Sequence, residues 1–251
     1  MLPFEPVLFQ QKVNVHLLLE YVAFFAAYRY YVYLKRRTKD PITSGNRLSI
    51  ILGAAIGAFL GSRIIGFLEN PFLDFDQISL YQLMNIKTIM GGLFGGLIGV
   101  EITKRSIGET NSSGDLFTLP LILGIFIGRI GCFLVGTNEF TYGAETELIT
   151  GMDLGDGLSR HPLALYELVF LLFLFIGFRH TYRHRPMSPG MLFKMFMLTY
   201  FGFRFTLEFL KPNVFFVLGL SSIQWLCITC FIYYRKTLTS LSRAYQKVYI
   251  L

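Results

Sequence analysis

Four arginines lie inside apolar stretches of this chain, where a charge requires an explanation: Arg29, Arg63, Arg129 and Arg204. A guanidinium at the centre of a membrane-spanning helix costs about 2.5–3.5 kcal/mol on insertion scales. Arg129 is set in Gly128-Arg129-Ile130-Gly131-Cys132-Phe133, whose glycines let another helix or a ligand approach the backbone. Arg204 precedes Glu208 by four residues, so both share one helix face. Two chemistries fit these pairs. One is a buried Arg–Glu pair that only tolerates the membrane, and the other is a polar cavity whose guanidinium forks hold a phosphate. Arg29, beside Tyr30, Tyr31 and Tyr33, suits snorkelling to the interface. Arg63, among Gly57, Gly61, Ser62 and Gly66, suits equally a structural ion pair or part of a polar cavity.

A second group stands at His161-Pro162, with Arg160 before it and Tyr166 and Glu167 after it. A histidine in such company is either an interfacial residue or a proton carrier. The run Gly91-Gly92-Leu93-Phe94-Gly95-Gly96-Leu97-Ile98-Gly99 predicts an unusually thin helix, suited to tight packing and compatible with lining a cavity. Cys227 and Cys230 form a C-x-x-C, but with no partner residues nearby in sequence they read as lipid- or core-facing.

These residues must be positioned by helices in a bilayer. Hydrophobic residues make up 53% of the chain and charged ones only 16%, against roughly 25% charged in a soluble domain; the mean hydropathy is +0.51. Apolar segments fall near residues 15–34, 48–68, 87–103, 116–135, 163–178, 191–210 and 220–234. Spans of about 20 residues each would occupy most of residues 1–251, so a single integral membrane domain with no separate soluble domain is expected. The basic residues give an independent test of the count. Segments 35–47, 104–115 and 179–190 and the tail after 234 carry fourteen Lys and Arg. The alternate segments 1–14, 69–87, 136–162 and 211–219 carry four. The sides alternate through every crossing. The positive-inside rule therefore predicts an all-α polytopic membrane protein with seven transmembrane helices, the N-terminus outside and the C-terminus in the cytosol. The loops 69–87 and 136–162 are then extracytoplasmic. In such a chain the net charge of +7 reports topology, and no nucleic acid is expected as a partner. The three cysteines give no disulfide framework, and no removable signal peptide is read at the start.

Taken together the motifs resemble those of bacterial prolipoprotein diacylglyceryl transferases. Gly128 to Phe133, followed by Asn138-Glu139 and Gly143, resembles the family's G-R-x-G-N-F and N-x-E-x-x-G elements. Arg160-His161-Pro162 with Leu165-Tyr166-Glu167 is similar to its R-H-P-x-x-L-Y-E. Arg204-Phe205 with Glu208-Phe209 matches R-F-x-x-E-F, and Gly95 to Gly99 matches G-G-L-I-G; Gln224-Trp225 fits the start of the family's last helix. The matches keep the family's order over residues 91 to 226. Two positions depart from the pattern. Phe94 leads into Gly95-Gly96 where the family has a histidine, and Cys132 replaces the asparagine of G-R-x-G-N-F.

The resemblance implies transfer of a diacylglyceryl group from phosphatidylglycerol to the cysteine thiol in the signal-peptide region of a preprolipoprotein, with release of glycerol phosphate. It implies a monomer in the bacterial inner membrane, crossing it several times among membrane lipids. Arg129 and Arg204 would stabilise the leaving phosphate in a low-dielectric site. With the family's histidine absent, His161 or Glu139 would take the thiol proton. Arg63, Cys132, Asn138, Gly143, Tyr166, Glu167, Glu208, Gly95 and Gly96 would form the substrate-binding surroundings. No metal or other cofactor is expected. Two rival readings are a phospholipid-binding paralogue without catalysis and a small transporter. The transporter predicts an internal repeat, and none is found.

Overall fold

The computed structural model describes residues 2–4, 6–8, 11–38, 40–69, 86–184, 187–212 and 217–240. Most of the expected 69–87 loop, with Asp74 and Asp76, lies outside the described residues, as do Lys39, Arg185, Arg243 and Lys247. Seven α-helices of ten residues or more occur among the described residues: α1 (Val15–Arg37), α2 (Ser44–Glu69), α3 (Ile89–Ser106), α4 (Asp115–Val135), α5 (Leu163–His184), α6 (Met191–Leu207) and α7 (Ser222–Tyr233). Each falls on one of the apolar segments read from the sequence, with ends displaced by a few residues. Residues 235–240 are helical as well. Among the described residues three helices are long and apolar enough to cross a membrane: Ser44–Glu69, Asp115–Asn138 (α4 with its 3₁₀ extension) and Leu163–His184.

The helix ends follow from local chemistry. The Asn14 side chain accepts from Leu17 N at 2.9 Å and starts α1. Lys35, Arg36 and Arg37 close it where the helix dipole favours cations. Ser221 and Gln224 form a reciprocal capping box on α7. Gln224 Nε2 also donates to the Phe205 carbonyl near the end of α6 (3.2 Å), so a buried amide meets an orphan helix carbonyl. α4 stops at Gly136, whose φ of +61° suits glycine, and a 3₁₀ turn (Gly136–Asn138) follows.

The chain divides into two compact units. The first comprises Met1–Pro41, Ser112–Leu192 and Phe209–Pro212. Within it α1 and α5 both pack on α4. Their shared core includes Ala23, Leu119, Ile122 and Leu171, and Tyr31 stacks on Phe117 with centroids 4.5 Å apart. The 136–162 loop departs from the all-helical expectation. It contains a two-stranded ladder, β3 (Met152–Asp153) with β4 (Ser159–Arg160), and a second ladder of the same size, β1 (Val7–Leu8) with β2 (Gln11–Lys12), precedes α1. These pairs satisfy backbone groups of segments that no helix takes up.

The second unit comprises Ile42–Asn111, Phe193–Glu208 and Asn213–Leu251. Its centre is the antiparallel contact of α2 with α3, and α7 touches both. The contact is a glycine seam: Gly53, Gly57 and Gly61 of α2 face Gly99, Gly95 and Gly91 of α3. A Cβ on Gly61 would lie 2.9 Å from the Gly95 Cα, and one on Gly57 3.0 Å from the Gly99 Cα. Backbone thus meets backbone, the arrangement that small residues four apart permit in membranes. Gly95 and Gly96 therefore occupy the α2–α3 seam; Gly96 makes ordinary contact with Ala54 and Ala58. Gly57→Ala is expected to destabilise the protein by about 1–3 kcal/mol, since neither backbone can yield. Thermal unfolding of the purified variant in detergent, compared with Gly45→Ala in open space, checks this.

Candidate functional site

Arg129 lies six residues before the end of α4, with its side chain buried. Its Nε lies 2.8 Å from Glu167 Oε1 in an ion pair, and Glu167, from the second turn of α5, is fully buried. The pairing is available because α4 and α5 pack together, placing two residues 38 apart in sequence on facing surfaces. Arg129 Nη1 also points at Cys132 Sγ, 3.6 Å away and one helical turn on. The guanidinium is thus oriented by a carboxylate and turned toward a thiol. Isolated charges are not sustained at such burial, and the Glu167 carboxylate accounts for one.

Glu139, just past the 3₁₀ turn, accepts from His16 Nδ1 at 2.6 Å. The same imidazole presents Nε2 to Cys132 Sγ at 3.7 Å and to Glu20 Oε1 at 3.5 Å. Gly131 makes room for the ring, since a Cβ there would lie 2.7 Å from His16 Cδ2. His16 was not among the residues picked out from the sequence. The signal that would have found it is the His16/Glu20 pair at i and i+4 in the opening turns of an apolar helix.

His161 is held differently. Its backbone N–H donates to Ala144 O (3.1 Å), and its carbonyl accepts from Gly143 N (3.0 Å). Ala144 N in turn donates to Leu210 O at 2.8 Å. Its Nδ1 lies 3.2 Å from the Tyr166 hydroxyl, which also pairs with Thr150 Oγ1 at 2.7 Å. Tyr166 therefore orients the imidazole and leaves Nε2 for other work. Gly143 permits the close passage: a Cβ there would lie 2.7 Å from the His161 carbonyl oxygen and 3.0 Å from that of Leu210. Gly143→Ala should therefore displace His161 and cost about 1–3 kcal/mol, a joint loss of thermal stability and activity that the purified variant would show.

Arg160 pairs with Asp156 at 2.6 Å and lies over the Tyr142 ring at 5.1 Å. Its guanidinium holds the Asp156 carboxyl below the usual carboxylate range. Asn138 closes the 3₁₀ turn after α4. A cavity of about 540 Å³ also occurs in this unit. Its lining, which includes Arg37, Leu119, Leu123 and Arg179, belongs to the opposite end of α4 from Arg129.

In the second unit Arg204 Nη2 meets Glu208 Oε1 at 2.5 Å, both side chains being buried, as the i,i+4 spacing predicts. Arg63 Nη1 donates to the Ile86 carbonyl at 2.6 Å and its guanidinium lies 5.2 Å from the Phe59 ring, so it ties α2 to the chain entering α3. Phe94, where a histidine is expected from the family pattern, packs against Phe201 and Tyr233 with centroids 6.4 and 6.5 Å away. No proton acceptor stands at that position. Cys227 and Cys230 are fully buried, as expected for core-facing residues.

Comparison with known proteins places these residues in context. The family model for prolipoprotein diacylglyceryl transferase matches residues 6–237. A phosphatidylglycerol–prolipoprotein diacylglyceryl transferase of Coxiella burnetii is 32% identical over 243 residues, covering 88% of this chain and 87% of the relative. Similarly named proteins of Bordetella bronchiseptica and Nitratidesulfovibrio vulgaris are 34% and 35% identical, covering 72% and 71% of this chain and 69% and 66% of their own lengths.

Proposed function

The chain belongs to the prolipoprotein diacylglyceryl transferase family, and from that membership we infer that it transfers a diacylglyceryl group from phosphatidylglycerol to the cysteine thiol of a prolipoprotein. The observation that carries this reading is the family match across residues 6–237 together with the oriented, buried Arg129. The protein works as a monomeric seven-span protein of the bacterial inner membrane, a single membrane domain with its N-terminus outside. The fourteen-to-four division of basic residues supports that orientation.

In the reaction a thiolate attacks the glyceryl carbon next to the phosphate, and the C–O bond breaks to release glycerol phosphate. Arg129 meets the charge that develops on the leaving phosphate, in a site where a preformed guanidinium is worth more than in water. Arg204, fixed by Glu208, is assigned the same class of work. His161 takes the thiol proton through Nε2, because Tyr166 engages Nδ1. Glu139 is committed to His16 and so acts through that imidazole. Asn138 and Gly143 shape the surroundings of Arg129 and His161 in the first unit, and Arg63, Gly95 and Gly96 of the second unit are assigned to substrate binding.

A second reading has a specific observation behind it. Phe94 in an aromatic cluster and Cys132 in place of asparagine suit a phospholipid-binding paralogue that does not transfer. Expression in a bacterium depleted of its own transferase separates the two. Restored lipidation of prolipoproteins supports transfer. Normal membrane insertion and retained phosphatidylglycerol binding without lipidation would establish the paralogue.

A further inference from the structure

We propose that Cys132, His16 and Glu139 form a thiol acyl-transfer centre, in which Cys132 takes a fatty-acyl group from a phospholipid ester as a thioester. The three residues come from the first turn of α1, the last turn of α4 and the segment beyond it. Their distances, 3.7 Å from thiol to Nε2 and 2.6 Å from Nδ1 to carboxylate, give the order nucleophile, base, orienting acid. The seat is built for the ring: Gly131 supplies the space its imidazole fills. Glu139 fixes the proton on Nδ1, so Nε2 faces the thiol. Glu20 at 3.5 Å from Nε2 favours the imidazolium that forms when the thiol gives up its proton. Arg129 Nη1 lies 3.6 Å from the same sulfur and would pair with it as the thiolate, the form that attacks.

The chemistry of the leaving group selects the electrophile. Displacing a phosphate at the glyceryl carbon needs no acid, and it would leave Cys132 blocked as a thioether. Cleaving a carboxylic ester expels an alkoxide that requires a proton, which an imidazolium beside the sulfur can supply. The step is then balanced. The thiolate adds to the ester carbonyl, the S–C bond forms and the ester C–O bond breaks. Nε2–H protonates the departing lysophospholipid alkoxide to its hydroxyl. The thioester passes its acyl group to the next nucleophile, water included, whose proton goes to His16 as Cys132 returns as thiolate. The proposal rests on the reading of Arg129 as a phospholipid phosphate ligand, since that places the ester carbonyls of the same lipid beside Cys132.

The test incubates the full-length protein in nanodiscs of acyl-labelled phosphatidylglycerol and follows label on Cys132 by mass spectrometry. Expected is one acyl group per chain, released by hydroxylamine and absent from Cys132→Ala. The Cys227→Ala/Cys230→Ala variant keeps the label. His16→Gln, which can still pair with Glu139, lowers the labelling rate at least tenfold. The same variant slows methanethiosulfonate modification of Cys132 at pH 6 at least tenfold, a readout that needs no lipid turnover and reports whether the thiol itself has changed. No label on Cys132, a hydroxylamine-resistant adduct of diacylglyceryl mass, or unchanged rates in His16→Gln would overturn the proposal. A lipobox peptide included in the same nanodiscs keeps the two readings apart. Peptide lipidation without Cys132 acylation sinks this inference alone, and Cys132 acylation without peptide lipidation sinks the transfer reading alone.

Discussion

Arg129→Lys is expected to lower diacylglyceryl transfer by about 10²–10³-fold, the range seen when one preorganised donor to a developing anion is removed. Lysine keeps the charge but not the fork. One guanidinium nitrogen now holds Glu167 and another faces Cys132, and a single ammonium cannot serve both directions. Arg129→Met is predicted to do more. It leaves the fully buried Glu167 carboxylate without its guanidinium, a change that typically costs about 3–5 kcal/mol. The double change Arg129→Met/Glu167→Leu removes both charges and should recover most of that stability while transfer stays lost. Melting temperature and steady-state transfer from phosphatidylglycerol vesicles, measured on all three variants, check the pattern. An active Arg129→Met/Glu167→Leu protein would remove Arg129 from the reaction.

Arg204→Met is the second large effect. Its partner Glu208 is buried at the end of α6, and the pair lies within one turn. Deleting the cation alone should cost about 3–5 kcal/mol, whereas Arg204→Met/Glu208→Met should lie near the wild type in stability, because the pair's mutual attraction largely offsets its own desolvation. Chemical denaturation of the two variants separates these outcomes. If the double variant is stable and inactive, Arg204 serves the reaction; if it is stable and active, the pair is structural.

The sequence made the helices legible because a bilayer imposes length and apolarity on them, and α1 to α7 fall on the segments so chosen. The Arg204–Glu208 pair was legible for a related reason: i,i+4 spacing on a helix fixes proximity without any knowledge of the fold. The Arg129–Glu167 pair was not. Both residues stood out singly, but their pairing depends on how α5 packs on α4, which no local period records. His16 stayed hidden because its partner Glu139 is 123 residues away. The glycines of α3 announced a thin helix, yet their facing residues on α2 follow from an antiparallel register set only by packing. The ladder joining residues 143–146 to 159–161 was equally invisible. Short polar segments pair wherever neighbouring backbone groups need partners.

The glycine seam has a mechanical consequence. Small residues recur every fourth position on both helices, so each carbonyl sits over a gap of fixed spacing. A slide of one residue along the axis, about 1.5 Å, would drive the side chain of Ala54, Ala58 or Ser62 against the opposing backbone. Only a shift of four residues, about 6 Å at 1.5 Å per residue, brings gap to gap again. The two helices are therefore keyed like a rack with coarse teeth. They transmit a push from one end to the other without creeping, and any movement the second unit makes during a catalytic cycle has to hinge outside them.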